Sequence, residues 1–120
     1  MVREYLPAKR PHEVVEFHHR GHRYLGGIGR YGDGRVAEIF LDAGKAGTAL
    51  QSVSRDAAVL ASIALQYGAP LDVIRHALAA DEDGAAAGPI GALIDRIDGP
   101  EAGVDLAAEM VPGTDGEPGL

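Results

Sequence analysis

The chain of 120 residues contains no cysteine and no tryptophan. The lack of cysteine excludes disulfide bonds, thiolate zinc sites, iron–sulfur clusters and every cysteine-based nucleophile or radical relay from this sequence. No apolar run is long enough to cross a bilayer, and the first ten residues, MVREYLPAKR, lack the apolar segment of a secretory signal. We therefore expect a protein of the cytoplasm that has no membrane partner.

Basic residues are also scarce, with 11 Lys and Arg against 18 Asp and Glu, which gives a formal net charge of -7. This balance argues against nucleic-acid binding, because phosphate contacts are made by clustered Lys and Arg. The charges are unevenly distributed, since the first third of the chain is mildly basic and the last third is acidic. Such a division is common on a solvated surface, and it also fits a basic end that meets an anionic ligand or partner.

The length and the 46% apolar content allow one domain with one core. Residues 1–11 carry two prolines and no periodicity, which predicts an extended amino-terminal arm. Residues 12–98 form the predicted domain. Residues 99–120 are rich in proline, glycine and carboxylates, and we expect them to be a flexible acidic tail.

The first half of the domain has the pattern of a small sheet. Three segments, 13–19, 22–31 and 35–41, mix β-branched, aromatic and alternating apolar residues. Arg20-Gly21 offers the first turn, and Asp33-Gly34 predicts a second, two-residue turn of type I′. The pattern predicts a three-stranded antiparallel meander.

The second half has a helical period. Thr48 and Gln51 form a predicted capping box at the start of a helix that runs from Ala49 to Tyr67, where Gly68 ends it. This helix is apolar nearly all round, which predicts a central position with a main buried stripe. The stripe consists of Leu50, Val53, Ala57, Leu60, Ala61, Ala64 and Leu65. Two shorter helices are predicted over residues 70–80 and 89–98, so the fold class is α+β, with two to three helices packed on the meander.

Two glycine-rich stretches could contact phosphate. Residues 27–32 match the spacing GxGxxG, but a predicted hairpin and strand follow them where a dinucleotide site needs a helix. Residues 44–48, GKAGT, resemble half a P-loop and lead into a helix whose free amides favour an anion. The candidate anion- or nucleotide-binding residues are therefore Lys45, Arg55 and Arg30.

No residue group predicts a metal site or an active site. His18 and His19 lie on opposite faces of a strand, and His22 follows a turn, so strand-end histidines exposed to solvent are the expected structure. Ser54, Arg55 and Asp56 near the start of a helix are typical of caps and ion pairs. A small enzyme that uses Asp56 or the histidines remains an alternative, but we assign no catalytic residue and no metal ligand.

The order of these segments resembles the carboxy-terminal region of adenosylcobalamin-dependent (class II) ribonucleotide reductases, called the TSCPD domain. The resemblance spans about residues 6 to 97. The matching residues are Gly21-His22, Asp33-Gly34-Arg35, the segment AEIFLD at 37–42, Lys45 with Gly47, the segment IALQYG at 63–68, and Pro70-Leu71. The cysteine-containing motif of that domain is absent, and residues 51–54 read QSVS in its place.

The resemblance implies a link to deoxyribonucleotide synthesis. In that family the adenosylcobalamin, the nucleotide and the radical-forming cysteines are held by a large barrel that this sequence lacks, so we expect no cofactor in this chain. Reduction in the family needs a thiyl radical and a reducing thiol pair, which this sequence cannot supply.

The expected function is that of a stand-alone, non-catalytic module that binds a partner protein or a nucleotide-like anion. Two alternatives are an accessory component of a ribonucleotide reductase and a purely structural dimerisation module. We also expect a homodimer, because a small sheet has exposed edges and the long helix has apolar surface to spare.

Overall fold

Three strands are followed by three helices in a computed structural model that describes residues 2 to 98. The elements are β1 (His12–His19), β2 (His22–Arg30), β3 (Val36–Asp42), α1 (Ala49–Gln66), α2 (Leu71–Ala77) and α3 (Pro89–Asp98). The predicted α+β class, a three-stranded antiparallel meander with packed helices, is confirmed. The predicted acidic tail, 99–120, lies outside the described residues. None of the helices within residues 2–98 is both long and apolar enough to cross a membrane.

The two hairpins of the sheet differ in their turns. Arg20 and Gly21 both have positive φ angles, 52° and 82°, as a two-residue hairpin turn requires. The predicted type I′ turn at Asp33-Gly34 is wrong, because only Gly34 has a positive φ, at 96°. The Gly34 amide donates to the Tyr31 carbonyl (2.9 Å) and the Tyr31 amide donates to the Arg35 carbonyl (2.9 Å), so the loop has three residues.

A bulge at the start of β3 accounts for this longer loop. Gly29 pairs with Glu38, whereas Arg30 pairs with Val36, so Ala37 is an extra residue on β3. A three-residue hairpin loop of this kind accommodates such an offset between its strands. The offset arises from the pairing of two strands, and a turn dipeptide read alone does not reveal it.

The core lies between one face of the sheet and α3. Leu93 is fully buried and packs over Gly26 in the central strand, where a Cβ atom would lie 2.8 Å from Leu93 Cδ1. Six of the ten residues of α3 are buried: Ile90, Gly91, Ala92, Leu93, Ile94 and Ile97. Helix α1 adds Ala58, Ala61 and Leu65 to this core, but its other side is exposed, so the prediction that the Ala49–Tyr67 helix is covered on both sides is wrong.

Helix α1 lies beside β3, and its buried stripe agrees with the predicted one only in part, at Ala61 and Leu65. Its buried residues are Ser54, Ala58, Ala61, Leu65 and Gln66. Val53 and Leu60, both in the predicted stripe, are 65% and 68% exposed. The physical reason is that the small side chains of Ala58 and Ala61 let α1 approach β3 closely. Both sides of α1 are apolar, so hydropathy alone does not indicate which side is buried.

The arm, residues 2–11, contains no helix or strand and crosses the carboxyl end of α1. The Glu4 amide donates to the Gln66 carbonyl (2.8 Å), and Arg3 donates to Gln66 Oε1 (2.8 Å). The Tyr31 hydroxyl donates to the Glu4 carbonyl (2.6 Å). The arm thus joins α1 to the β2–β3 loop.

Candidate functional site

Arg30 lies apart from the other two predicted anion ligands. Its Nε donates to Glu13 Oε2 (2.6 Å) and its Nη1 donates to the Gly34 carbonyl (2.8 Å), so its guanidinium already has partners. Arg23, at the other end of β2, lines a cavity with Lys45. Arg30 is seven positions after Arg23 along the strand, a distance of about 23 Å. The structure therefore does not bring Arg30 together with Lys45.

Lys45 and Arg55 both lie near the start of α1, as the sequence predicts. Lys45 lines a cavity of about 510 Å³ on the loop after β3, and Arg55 lines one of about 310 Å³ between β3 and α1. Neither side chain forms a hydrogen bond or a salt bridge with any residue between 2 and 98. These two cations are available to an anionic group.

The amino end of α1 is already capped by the chain itself. Thr48 Oγ1 accepts from the Gln51 amide (3.2 Å), which confirms the predicted cap. The reciprocal half of the predicted box differs, because Gln51 Oε1 accepts from the Gly47 amide (3.1 Å) and not from that of Thr48. Two donors that could hold an anion are therefore engaged.

Asp42 adds a negative charge at the same end of α1. Its Oδ1 accepts from Gln51 Nε2 (3.1 Å) and from the Gly44 amide (3.1 Å). These two hydrogen bonds, followed by attraction to Arg55, hold the pKa of Asp42 below its ordinary value. Asp42 is thus ionised at neutral pH, and an anion bound at Arg55 would lie near this carboxylate.

Side chains of α1 cover part of the outer edge of β3. Gln66 Nε2 donates to the Ala37 carbonyl (3.1 Å). Ser62 Oγ accepts from the Ile39 amide (2.8 Å) and lies 3.1 Å from the Ile39 carbonyl oxygen. The edge that the sequence predicts to be exposed is therefore closed at these two positions, as edges often are when a helix covers them.

Beyond Ile39 the cover is apolar, since Leu41 and Ala58 are each 3% exposed. Outward-facing residues of a strand recur every two residues, about 6.7 Å, and residues on one side of a helix recur every four, about 6 Å. Because α1 runs antiparallel to β3, the next pair after Ser62 with Ile39 is Ala58 with Leu41. Alanine has no polar side-chain atom to bond the Leu41 backbone. The cavity of about 310 Å³ lies at this point, lined by Leu41, Ala58 and Val59 among others.

A second surface of α1 faces away from the sheet. Val53, Leu60 and Tyr67 are seven residues apart, two helical turns, so they form one stripe, and all three are exposed. We call this stripe the outer face of α1. No element within residues 2–98 packs on it, whereas Val59 lies on the side toward β3.

Sequence reasoning missed a buried charge cluster on the opposite face of the sheet. Arg10 donates through Nη2 to Glu38 Oε1 (2.9 Å) and through Nε to Glu38 Oε2, and His12 Nε2 lies 3.4 Å from that second oxygen. Glu38 is buried, and Gly29 opposite it leaves room for the carboxylate. The hydrogen bonds to Glu38 raise the pKa of Arg10. The pair fixes the arm to the sheet, and the available signal was a lone Glu in an apolar strand facing a glycine.

Metal ligation has no candidate in the described part of the chain. Within residues 2–98, no three His, Cys, Asp or Glu side chains come together in an arrangement that could hold a metal ion.

The chain is similar to several vitamin B12-dependent ribonucleotide reductases. The vitamin B12-dependent ribonucleotide reductase of Bradyrhizobium diazoefficiens is 41% identical over 70 residues, 58% of this chain and 6% of that protein. The enzymes of the same name from Agrobacterium fabrum and Rhodopirellula baltica are 39% identical over 70 residues and 38% identical over 72 residues. These matches cover 58% and 60% of this chain, and 6% and 7% of those proteins.

The resemblance predicted from the sequence, to vitamin B12-dependent ribonucleotide reductases, is confirmed by these matches. The chain spans only a small fraction of the length of these relatives. No protein-family model matches the chain, and no solved structure is significantly similar to it.

Proposed function

We propose that this domain is a ribonucleotide reductase-related module of the TSCPD type that binds a partner protein and does not catalyse reduction itself. The similarity to B12-dependent reductases supports the relation to that enzyme class. The complete absence of cysteine supports the non-catalytic role, because reduction by this class needs a thiyl radical and a reducing thiol pair.

The vitamin B12 cofactor of the relatives does not fit the described cavities. Those at Arg55, Lys45 and Arg75 have volumes of about 310, 510 and 630 Å³ and are open at the surface. Such volumes suit a drug-sized ligand, and a corrin ring with its nucleotide is much larger. We expect cobalamin to bind outside this domain.

The outer face of α1 is the proposed docking surface, and the proposed partner is a B12-dependent reductase polypeptide. In the relatives, the matching segment is about one-fifteenth of a longer chain. There the remainder of the reductase polypeptide is available to pack against this segment. An exposed apolar stripe on a monomer is typical of an interaction site. Burying one Leu or Val side chain contributes about 1.5–3 kcal/mol, so a few such residues can dominate the affinity. The exposed stripe of Val53, Leu60 and Tyr67 is the observation that carries this proposal.

Calorimetric titration of the domain with the purified B12-dependent reductase of its own organism tests the proposal. We expect binding that Leu60→Lys weakens at least about tenfold, since a charge in an apolar contact costs about 1.4 kcal/mol or more. Val73→Lys is the matched control, because Val73 is an exposed apolar residue on α2, away from the outer face. Absence of binding, or equal losses in the two variants, would contradict the proposal.

A second candidate function is binding of a nucleotide-like anion near Lys45 and Arg55. The observation in its favour is that both side chains lack ion-pair partners within residues 2–98. Titration with adenosine diphosphate tests it, and binding should be weaker in Lys45→Gln and Arg55→Gln. If the nucleotide produces no heat change with the original chain, this function is excluded for that ligand.

A further inference from the structure

We propose that β1 pairs edge to edge with the β1 strand of a second copy of this chain, across a two-fold axis at Phe17, and forms a homodimer whose sheet is continuous through both copies. This inference goes beyond the proposed function, because it uses the edge of β1 and not the outer face of α1. The two surfaces can therefore be tested independently.

The sheet has two edges, and β1 is the edge that no helix within residues 2–98 covers. The strand order is β1-β2-β3, and α1 lies along β3, whereas no described helix lies along β1 in the same way. The arm bonds to the other side of the molecule, at Glu38, Tyr31 and Gln66. The loop before α3 meets β1 at the turn end of the strand, where His19 Nε2 lies 3.0 Å from the Ala86 carbonyl oxygen.

Alternate residues of β1 direct their backbone groups toward this edge. The two-residue turn at Arg20-Gly21 makes His19 and His22 a hydrogen-bonded pair. Every second residue back from His19 therefore bonds to β2, and the residues between them present their amides and carbonyls outward, among them Val14, Glu16 and His18. None of these outward groups forms a hydrogen bond with another residue between 2 and 98.

β1 also lacks the features that protect edge strands in many proteins. Its pairing with β2 is continuous from His12 to His19, without a bulge, and the strand contains no proline and no lysine. Glu16 and His18 are exposed residues, so the middle of the strand is accessible. A long and regular edge with unpaired backbone groups is a template for another strand.

The side chains of β1 make a second copy the matching partner and select the register. In an antiparallel pair centred on Phe17, Glu16 of each copy faces His18 of the other, and each facing pair exchanges two backbone hydrogen bonds. A carboxylate that faces an imidazole adds a favourable cross-strand contact on both sides of the axis. A pair centred on Glu16 would instead place two carboxylates against each other. One strand thus supplies both halves of a closed two-fold interface.

Registers shifted two or three residues toward the start of β1 are less favourable, because they need His12 at the interface. The His12 ring packs against Phe40, with ring centroids 5.2 Å apart, and its Nε2 lies 3.4 Å from Glu38 Oε2. His12 therefore leans across the sheet and away from the edge. The favoured contact is small, since its two facing pairs supply about four backbone hydrogen bonds. The dimer should consequently dissociate on dilution.

Sedimentation velocity over a concentration series from about 1 µM to about 1 mM tests the dimer. We expect a monomer–dimer equilibrium that His18→Glu weakens about tenfold, because it replaces two favourable facing pairs with two pairs of carboxylates. His76→Glu is the matched control, since it makes the same replacement at an exposed histidine of α2 and should dimerise like the original chain. The double variant Glu16→His with His18→Glu exchanges the facing groups and should restore the dimer.

A chain that stays monomeric at every concentration would overturn the proposal and would leave the edge of β1 to a strand of a different protein. Equal effects of His18→Glu and His76→Glu would overturn it as well, and so would a double variant that does not recover. A dimer that Leu60→Lys breaks and His18→Glu does not would place the interface on the outer face of α1 instead.

Disulfide trapping gives a second, independent readout. In a pair centred on Phe17, residue 16 of one copy faces residue 18 of the other at a Cα separation of about 5.5 Å, which suits a disulfide. The original sequence has no cysteine, so mixing Glu16→Cys with His18→Cys under oxidation should give a cross-linked dimer on a non-reducing gel. Glu16→Cys alone places its two cysteines on a diagonal about 7–8 Å apart and should not cross-link. No cross-link in the mixture, or an equal one from Glu16→Cys alone, would contradict the proposed register.

Discussion

Replacing Ser62 with alanine removes the hydroxyl that bonds the Ile39 backbone at the outer edge of β3. In the folded chain this hydroxyl accepts from the Ile39 amide at 2.8 Å, and Ile39 is 2% exposed. Water therefore cannot replace the lost partner without a local opening of the strand. The substitution tests whether side chains of α1 hold β3 through its backbone.

The expected magnitude follows from two opposing effects. A buried amide left without a partner costs about 1–3 kcal/mol, and alanine is better than serine in a helix by about 0.5 kcal/mol. The net loss in the free energy of unfolding should be about 1.5 kcal/mol, which corresponds to a fall in Tm of about 6–12 °C for a domain of this size.

Urea denaturation followed by circular dichroism measures this loss, with Ser52→Ala as the matched control. Ser52 lies on the exposed side of α1 and its hydroxyl makes no hydrogen bond within residues 2–98. The control should therefore be as stable as the original chain or slightly more stable. If Ser62→Ala is no less stable than Ser52→Ala, the account of the covered edge is refuted.

Three further predictions concern the core, the arm and the start of α1. Gly26→Ala should lower the free energy of unfolding by about 1–2 kcal/mol in urea denaturation, because its Cβ would lie 2.8 Å from Leu93 Cδ1 in a filled core; unchanged stability would contradict this packing. Arg10→Ala should cost about 2 kcal/mol by the same assay, since it leaves a buried carboxylate unpaired, whereas a cost near zero would show that the pair is solvated. The pKa of Asp42 is lowered first by its hydrogen bond from Gln51, so its ionised form stabilises the fold above the ordinary value of 3.8 and this contribution disappears as the pH falls through the lower folded pKa. Asp42→Asn should thus be less stable than the original chain at neutral pH and approach it in acid, and a pH-independent difference would contradict the assignment.

Local signals in the sequence were enough to predict the elements of the fold. Thr48 as the cap of α1, Gly68 as its stop and Arg20-Gly21 as a turn each act within a few residues. Each of these signals therefore predicts its local structure without knowledge of the rest of the fold. The type of the second turn was missed because it depends on Ala37, the extra residue that the pairing of β2 with β3 creates.

The placement of α1 could not be predicted from its own periodicity. Val53 and Leu60 are more apolar than Ala58 and Ala61, yet the alanines are buried because small side chains let the helix lie close to β3. Which face is buried depends on the shape of the neighbouring strand, and hydropathy does not report shape.

The relative positions of the candidate residues could be predicted only where these residues are close in sequence. Lys45 and Arg55 are close in sequence, and both lie near the start of α1. Arg30 pairs with Glu13 on the neighbouring strand, and Arg10 on the arm pairs with Glu38, 28 residues away. A lone Glu in an apolar strand can indicate such a pair, but a single sequence does not identify its partner.

Methyl-group NMR during titration with the purified B12-dependent reductase tests the central claim, recognition through α1, most directly. The account predicts that the methyl signals of Val53 and Leu60 shift or broaden while that of Leu93, buried in the core, stays unchanged. Unchanged signals from Val53 and Leu60 at saturating reductase, or changes confined to other surfaces, would contradict it.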